Sequence, residues 1–591
     1  MKKSILFILS VLTMTVSCDK SFFEAPDQTA FDEDVLFSKI ENVQRLLNEV
    51  YRTIPITLNN AWGDRVYGNS PDCISDLAAG FSGQSGHSCH KFNRGQLTTD
   101  WGSATGDRGE LIWQWEAIRY LHIILSRVDS VPDASDDEKQ QIKGECNLLL
   151  AWHNFEMWRR MGGIPLVKGR LDDQEAQRIP RSSLDESYNY ILRLVQAAID
   201  NPQLPSRSSG SEFGKLNKAF AYALKAKVMV YAASPLFNRA KPFIEDYPHP
   251  SLVCFESEDI QRWKDAKIAL DEAITWCEAN GYKIVEGYDT PEENYLTASA
   301  KLPSAGNTEI IMGWQQTMTT DGIRFFMPRG ENFNGWHGTV PTHNLVMLYR
   351  KADGTYKTWP EEYVTSPDAP TEPFDDLEPR FKASVAHNGS PWVTGAGAYS
   401  LQFWNEKGDE SYTKGGAEGR NRSSADYSYV TWKYTHGHEN IQAAGGTWLI
   451  LHVNMRLSEL YMLRAEVLNE TDGPEAAKAD IEKVISRSGM SVPSSALADK
   501  EAMRMFIERE NAIEFFLEDH RFHDLRRRMR SEAVLNFVAT DYRCEKDISD
   551  GRYYYKRTEV EKRVFKTNYY LWPYPQNEMN KMYGLIQNPG W

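Results

Sequence analysis

The sequence has few of the features that catalysis or metal binding requires. Its seven cysteines include no Cys-x-x-Cys pair, which argues against zinc ribbons and thioredoxin-type redox chemistry. It also has no nucleophile elbow, no phosphate-binding loop and no His-Glu-x-x-His motif. We therefore expect no catalytic residue, no bound metal and no cofactor. Cys73 and Cys89 could still pair across a loop in an oxidising compartment.

The chain also has fewer basic than acidic residues. Acids outnumber bases by 82 to 67, for a net charge of -15, and such a surface repels phosphate backbones. This balance argues against nucleic acid as a partner. Beyond the N-terminus no segment has 18 continuous apolar residues, so we expect no transmembrane helix.

The first residues have the three-part form of a bacterial export signal. Lys2 and Lys3 are basic, Ile5 to Met14 is a short apolar run, and small residues lead to Cys18. This pattern predicts a lipoprotein signal peptide over residues 1–17 and a lipid anchor on Cys18, although ordinary secretion is the alternative. Acyl chains on that thiol, at about 0.8 kcal/mol per buried methylene, would hold the protein on a membrane.

Apolar periodicity predicts a mainly α protein, and 591 residues could form several domains or one large solenoid-like body. The helical scaffold is expected at about 30–58, 108–281 and 448–591, with two insertions at about 59–107 and 282–447 that are rich in loops and short strands. A hairpin at residues 454–487 has the length of a tetratricopeptide-like unit. The predicted helices are 34–52, 110–128, 136–161, 183–199, 215–233, 258–279, 454–469, 474–487, 500–517 and 522–529, and a strand is predicted at 562–571.

Aromatic residues are abundant, with 17 Trp, 28 Tyr and 25 Phe. Most belong in a core of this size. Seven Trp nevertheless fall in or just after the second insertion, which is more than its share, so we expect several on a surface. Their positions are 314, 336, 359, 392, 404, 432 and 448.

Five segments, in order along the chain, resemble the SusD/RagB family. They are a helix ending in Gly162-Gly163-Ile164-Pro165, a helix start at Pro180-Arg181-Ser182-Ser183, the helix from Arg456 to Glu470, the segment from Glu508 to Arg527, and the C-terminal Pro573-Tyr574-Pro575 with Gln587-Asn588-Pro589-Gly590. Asp519 stands where the family often has Gly, and Asp tolerates the left-handed conformation of a helix end. These are scaffold motifs that build helix caps and buried ion pairs.

The resemblance implies one large domain over residues 18–591 with a tetratricopeptide-like helical body, a lipid anchor, and an outer-membrane position facing the cell exterior. It also implies a lid-like pairing with a SusC-like TonB-dependent transporter and a ligand face made by loop insertions. The expected function is a non-catalytic receptor that captures an oligosaccharide or polysaccharide and delivers it to that transporter. The alternatives are a receptor of the same fold for peptides or another nutrient, a glycoside hydrolase or metal-dependent enzyme, and a structural adaptor.

Aromatic rings beside polar loop residues suit glycans, because the C–H face of a sugar stacks on an indole while its hydroxyls take hydrogen bonds. We therefore select aromatic and acidic residues of the two insertions as candidate ligand contacts, although each could instead be a local packing anchor. The candidates are Trp62, Tyr67, Asp72, Trp101, Trp314, Trp336, Trp392 and Trp404.

Overall fold

The structure is a computed structural model. It describes residues 33–54, 70–80, 88–100, 114–171, 175, 178–318, 320–329, 333, 335–394, 397–419, 427–435, 448–581 and 584–591. Cys18 lies outside these residues, as do Trp62, Tyr67 and Trp101.

Helices dominate the part of the chain that is described. They are α1 Glu33–Leu36, α2 Ile40–Tyr51, α3 Ser88–Asn93, α4 Trp115–Arg127, α5 Asp136–Met161, α6 Leu184–Asp200, α7 Lys218–Ala233, α8 Gln261–Ala279, α9 Pro291–Ala300, α10 Thr320–Arg324, α11 His343–Val346, α12 Pro379–Ser384, α13 Leu457–Thr471, α14 Pro474–Ile485, α15 Lys500–Glu514, α16 Arg521–Arg527, α17 Ser531–Leu535 and α18 Gln576–Lys581.

The strands form small, separate sheets. They are β1 Ala78–Gly80, β2 Ile310–Met318, β3 Thr339–Pro341, β4 Glu362–Val364, β5 Val385–Ala386, β6 Pro391–Thr394, β7 Gly397–Ser400, β8 Trp404–Glu406, β9 Val430–Thr431, β10 Trp448–Arg456, β11 Val538–Lys546 and β12 Tyr553–Lys562. Four strands join in the order β4-β12-β11-β8, and the others pair as β1-β3, β2-β10, β5-β9 and β6-β7. All pairs are antiparallel except β8 with β11.

The long helices stack in chain order, as the fold prediction requires. Helix α4 packs on α5, α5 on α6, α6 on α7 and α7 on α8, and α8 then packs on α13 across the second insertion. Helix α13 also packs on α14 and on α15. The mainly α architecture with a tetratricopeptide-like helical body is therefore confirmed. The second insertion lies in the chain between α8 and α13, which are neighbours in the helical stack.

Local sequence signals explain where these helices begin and end. Ser135 with Glu138, and Ser183 with Glu186, each form a capping box that satisfies backbone N–H groups at a helix start. Helix α5 ends at Gly162, whose φ of 79° favours glycine. Arg181 of the Pro-Arg-Ser-Ser segment then donates to the carbonyls of Met161 and Gly163, each at 2.7 Å. The motif thus ties one helix end to the next helix start.

Two predictions about local structure are wrong. Helices α9 to α12 lie within the second insertion, where no helix was expected, and Thr290 caps the longest of them, α9, with Pro291 in its first turn. A strand was expected at 562–571. The observed strand, β12, runs earlier and ends at Lys562, and Thr567–Tyr570 forms a 3-10 helix. Its aromatic residues pack inward: Tyr569 is buried against Phe92 and Trp591. Apolar character alone did not distinguish a strand from a buried turn.

A buried ion-pair network joins the second insertion to the body. The insertion contributes three bases and two acids, and the body contributes two bases and three acids, so only the two parts together are neutral. None of these side chains is more than 1% exposed. The members are Glu309, Arg350, Glu378, Arg380 and Lys433 of the insertion, and Arg456, Arg487, Glu510, Glu514 and Glu518 of the body.

Glu514 lies at the centre of this network. Its carboxylate pairs with Arg487, with Arg456 at 2.9 Å and with Arg380 at 3.4 Å. Burial by itself would raise the pKa of Glu514, but the three guanidinium groups outweigh it and lower that pKa to about 2. The carboxylate is therefore ionised, and the insertion is held to α15 by charge pairs shielded from water.

In a second cluster, two arginines of the run 526–528 pair with acids, while Arg526 donates to the carbonyls of Arg160 and Tyr570. Arg527 pairs with Glu466 at 2.6 Å and with Asp524 at 2.8 Å, and Arg528 also pairs with Glu466. Asp519 has φ of 63°, the left-handed conformation expected where the family often has Gly. The motifs of the C-terminal half therefore build the frame.

Asp72 belongs to the frame and not to a ligand surface. It is 1% exposed, and one carboxylate oxygen accepts a hydrogen bond from the Leu517 backbone N–H at 2.5 Å. Its predicted role as a ligand contact is therefore corrected, since a surface ligand cannot reach it. Burial raises the pKa of Asp72 to about 7, against the lowering effect of the Leu517 hydrogen bond.

This raised pKa predicts that Asp72→Asn stabilises the protein above neutral pH. The folded state holds the proton more tightly than an unfolded chain, so Asp72 costs stability as pH rises from about 4 through 7. Because the pKa of Asp72 rises from 3.8 to about 7, its ionisation lowers the free energy of unfolding by up to ~4 kcal/mol at pH 8. Urea unfolding at pH 5 and pH 8 measures this, with the exposed Asp375→Asn as control. An Asn variant that gains nothing at pH 8 would contradict it.

The cysteines and the longer helices add two observations. Cys73 and Cys89 are both buried and no disulfide joins them, so the suggested pairing is not seen. Of the helices in the described ranges, none combines the length and apolar character needed to cross a bilayer.

Candidate functional site

Four aromatic residues of the second insertion pack around the β6–β7 hairpin. Trp392 of β6 pairs in register with Tyr399 of β7, and the Trp392 ring meets the Trp432 ring edge-on at 4.4 Å. Phe333 lies 5.6 Å from Trp392 and 5.7 Å from Tyr399. Trp392 and Phe333 are each 4% exposed, whereas Trp432 and Tyr399 are half-buried. The buried Trp392 and Phe333 therefore support the partly exposed rings of Trp432 and Tyr399.

Trp432 is fixed from the side of the body. The next residue, Lys433, is buried and donates to the Glu518 carboxylate at 2.6 Å and to the Phe516 carbonyl at 2.8 Å. The Trp432 backbone N–H donates to the Ser384 carbonyl at 2.8 Å. Since Lys433 is part of the buried network, that network fixes the position of a partly exposed indole.

Trp404 lies on β8, an edge strand of the four-stranded sheet. It is half-buried, and the Lys546 ammonium of the neighbouring strand lies 5.7 Å from its ring centre. Lys546 also lies 4.8 Å from the Tyr553 ring, and its nearest carboxylate is that of the exposed Asp368 at 3.5 Å. An indole, a phenol ring and an ammonium group thus meet at the edge of the sheet.

A glycine-rich loop connects Trp404 to the hairpin aromatics. Gly416 donates its N–H to the Trp404 carbonyl at 2.9 Å, and a side chain at Gly416 or Gly419 would collide with Trp404. Between these glycines, the buried Glu418 accepts hydrogen bonds from the Tyr399 hydroxyl at 2.9 Å and the Gln402 N–H at 2.8 Å. One loop therefore positions both aromatic groups, and only glycine allows its close approach.

Trp336 is the third half-buried indole of this region. It packs edge-on against Phe325 at 5.0 Å, and the Arg324 guanidinium lies 5.7 Å from its ring. The following residue, His337, contacts the Phe403 ring at 5.7 Å, next to Trp404. We call Trp336, Tyr399, Trp404 and Trp432 the aromatic surface.

The predicted contacts therefore have different outcomes. Trp336 and Trp404 are partly exposed and belong to the aromatic surface. Trp392 is buried and acts as a support, so its predicted direct contact with ligand is corrected. Trp314 is half-buried on β2, opposite His452 of β10, in the β2-β10 sheet and not in the hairpin or the four-stranded sheet. Trp62, Tyr67 and Trp101 lie outside the described residues.

Several residues of the site were not selected from the sequence. Trp432 was counted among the clustered Trp, but nothing local distinguished it from Trp392. Tyr399, Glu418 and Lys546 carry no motif, and Lys546 reaches the site only through the pairing of β8 with β11. The Gly415-Gly416 and Gly419 spacing was the one available signal, because clustered glycines mark close backbone approach.

The chemistry available here is that of binding. Half-exposed indoles and a phenol ring provide stacking faces for C–H surfaces, and the Lys546 ammonium is a charged group beside Trp404. Among the residues that the structure describes, no three His, Cys, Asp or Glu side chains are grouped to hold a metal ion. Fold and site together define a helical-repeat protein with four partly exposed aromatic rings on its second insertion.

Family comparisons agree with this architecture. Residues 308–591 match the model of the SusD family, and residues 28–230 match a model described as starch-binding and associating with the outer membrane. The two models cover most of the chain without overlap. The chain belongs to the SusD/RagB family.

Solved structures share the fold over almost the whole chain. A SusD-like protein from Bacteroides fragilis is 24% identical, with a TM-score of 0.75, and the match covers 94% of this chain and 98% of that one. A SusD-like carbohydrate-binding protein from the same species is 19% identical, with a TM-score of 0.67 and coverage of 93% and 100%. The surface glycan-binding protein A of Bacteroides fluxus is 17% identical, with a TM-score of 0.59 and coverage of 94% and 100%. A search of the curated proteins found no match.

Proposed function

We propose that this protein is a cell-surface glycan receptor, not an enzyme, that captures an oligosaccharide or polysaccharide on its aromatic surface. The observation that carries the proposal is the set of half-exposed rings of Trp336, Tyr399, Trp404 and Trp432, each fixed by buried or backbone contacts. Rings held in place before binding lose little conformational entropy when a sugar stacks on them. Family membership supports the same ligand class.

The proposal includes a location and a partner. Cys18 would anchor the protein to the outer membrane, with the aromatic surface facing the cell exterior. A SusC-like TonB-dependent transporter would receive the glycan. The sequence pattern at residues 1–18 and the family description support this part.

A binding panel with product analysis tests the proposal. The protein without residues 1–18 is incubated with insoluble polysaccharides, and both the bound protein and the released sugars are measured. We expect retention on at least one polysaccharide with no oligosaccharide released. Release of oligosaccharides would indicate a glycoside hydrolase. Failure on every glycan, together with binding to peptide, would indicate the receptor for another nutrient.

A further inference from the structure

A small pocket lies between the helical body and the second insertion, formed by residues outside the aromatic surface. Its volume is about 240 Å3, and its lining includes Leu348, Tyr356, Ser495, Met505 and Arg509. That volume is below the ~300–1,000 Å3 of drug-sized ligand sites, so it admits about one sugar ring. All of these residues lie in the described part of the chain.

The pocket has an exposed aromatic ring that is held in position. Tyr356 is 46% exposed, which is unusual for a large ring, and its backbone forms an antiparallel bridge with Arg350. The Arg509 guanidinium carbon lies 4.3 Å from the centre of the Tyr356 ring. Met505, 42% exposed, adds a second apolar group at the rim. Tyr356 therefore offers a stacking face next to a positive charge.

Arg509 has a charge that no acid of the described residues neutralises through an ion pair. Its Nε donates to the Leu348 carbonyl at 2.5 Å and one Nη donates to the Met347 carbonyl at 3.0 Å. The other charged residues of the pocket already have partners: Glu508 pairs with Arg530 at 3.2 Å, and Arg521 with Asp76 at 2.8 Å. Two neutral acceptors thus fix the guanidinium, which lines the pocket without an ion pair to any described carboxylate.

We propose that this pocket is a separate binding site for one carboxylate-bearing sugar residue, such as a uronic acid. The sugar ring would stack on Tyr356, and its carboxylate would take a charge-assisted hydrogen bond from Arg509. The site goes beyond the proposed glycan capture, since it shares no residue with the aromatic surface. It would give the protein a preference for acidic over neutral terminal sugars.

The test compares methyl glucuronide with methyl glucoside, which differ only at the carboxylate, by ligand-observed NMR titration. Methyl sialoside forms a third arm that separates a uronic acid from another carboxylate sugar. The wild type is expected to bind the glucuronide at least about tenfold more tightly than the glucoside, as a charge-assisted hydrogen bond allows. Sialoside binding at equal strength would extend the class to carboxylate sugars in general.

Variants of the pocket and its surroundings make the test specific. Arg509→Gln should reduce the preference to less than about twofold, Arg509→Lys should keep part of it, and Tyr356→Ala should weaken both ligands. Arg504→Gln, which removes an exposed charge from the same helix, should change neither the affinity for the two sugars nor the preference between them. Thermal unfolding checks that each variant is folded. Equal binding of the two sugars by wild type, or a preference that survives in a folded Arg509→Gln protein, would overturn the site. The Arg509 variants report on this pocket alone and the polysaccharide panel reports on glycan capture, so the two proposals fail separately.

Discussion

Glu514→Gln is expected to lower the free energy of unfolding by about 3–5 kcal/mol. The substitution preserves the shape of the side chain but leaves Arg380, Arg456 and Arg487 with less compensating charge inside the protein. A buried charge that loses its partner costs more than the pair itself contributes. Urea unfolding at pH 7, followed by circular dichroism, measures the loss.

The pH dependence of this loss follows from the sign of the shift. The pKa of Glu514 is lowered to about 2, so its contribution is present above pH 4.5 and is lost as pH falls toward 2. The difference between wild type and Glu514→Gln should therefore shrink at acid pH. Glu501→Gln, an exposed glutamate of the same helix, serves as control and should change stability by less than ~0.5 kcal/mol. A Glu514→Gln protein as stable as this control would refute a structural role for the network.

Trp404→Ala and Trp432→Ala are each expected to weaken glycan binding by about tenfold or more, roughly 1.4 kcal/mol. Each removes a half-exposed stacking face, whereas the supports beneath it remain in place. The double variant should lose about a hundredfold in affinity, because different elements hold the two rings and the effects of independent substitutions add. Isothermal titration with the oligosaccharide that the panel identifies gives the affinities.

Trp276→Ala is the matched control for these variants. Trp276 is also a half-buried indole, but it lies on the helical body, stacked on Tyr222 at 4.9 Å. The Trp276→Ala variant should bind the oligosaccharide with an affinity within about twofold of that of the wild type. An affinity that falls equally in all three variants would mean that general loss of structure, not the aromatic surface, explains the result.

The helical body could be predicted from the sequence because its signals are local. Helix α5 has the predicted bounds, Asp136 to Met161, since a capping box begins it and Gly162 ends it. The motifs around Arg456 and Glu514 indicated buried ion pairs. Their partners could not be identified, because Arg380 and Lys433 lie about 80 to 130 residues away and meet α15 and Glu518 only in the folded chain.

The aromatic surface was predictable only as a region. The excess of Trp in the second insertion indicated exposed rings, and Trp336 and Trp404 are partly exposed. Trp392 and Trp432 could not be told apart, because which ring is covered depends on Phe333 and on the hairpin register. Asp72 looked like a polar loop residue, but its burial depends on Leu517, 445 positions later. Long-range packing decided each of these cases.

A crystal structure of the protein with a bound oligosaccharide is the most direct test of the aromatic surface as the glycan site. The pyranose rings should lie flat against the indoles of Trp404 and Trp432, and frame residues such as Lys433 and Glu418 should keep their positions. An oligosaccharide seated elsewhere, with both of these indoles untouched, would contradict it.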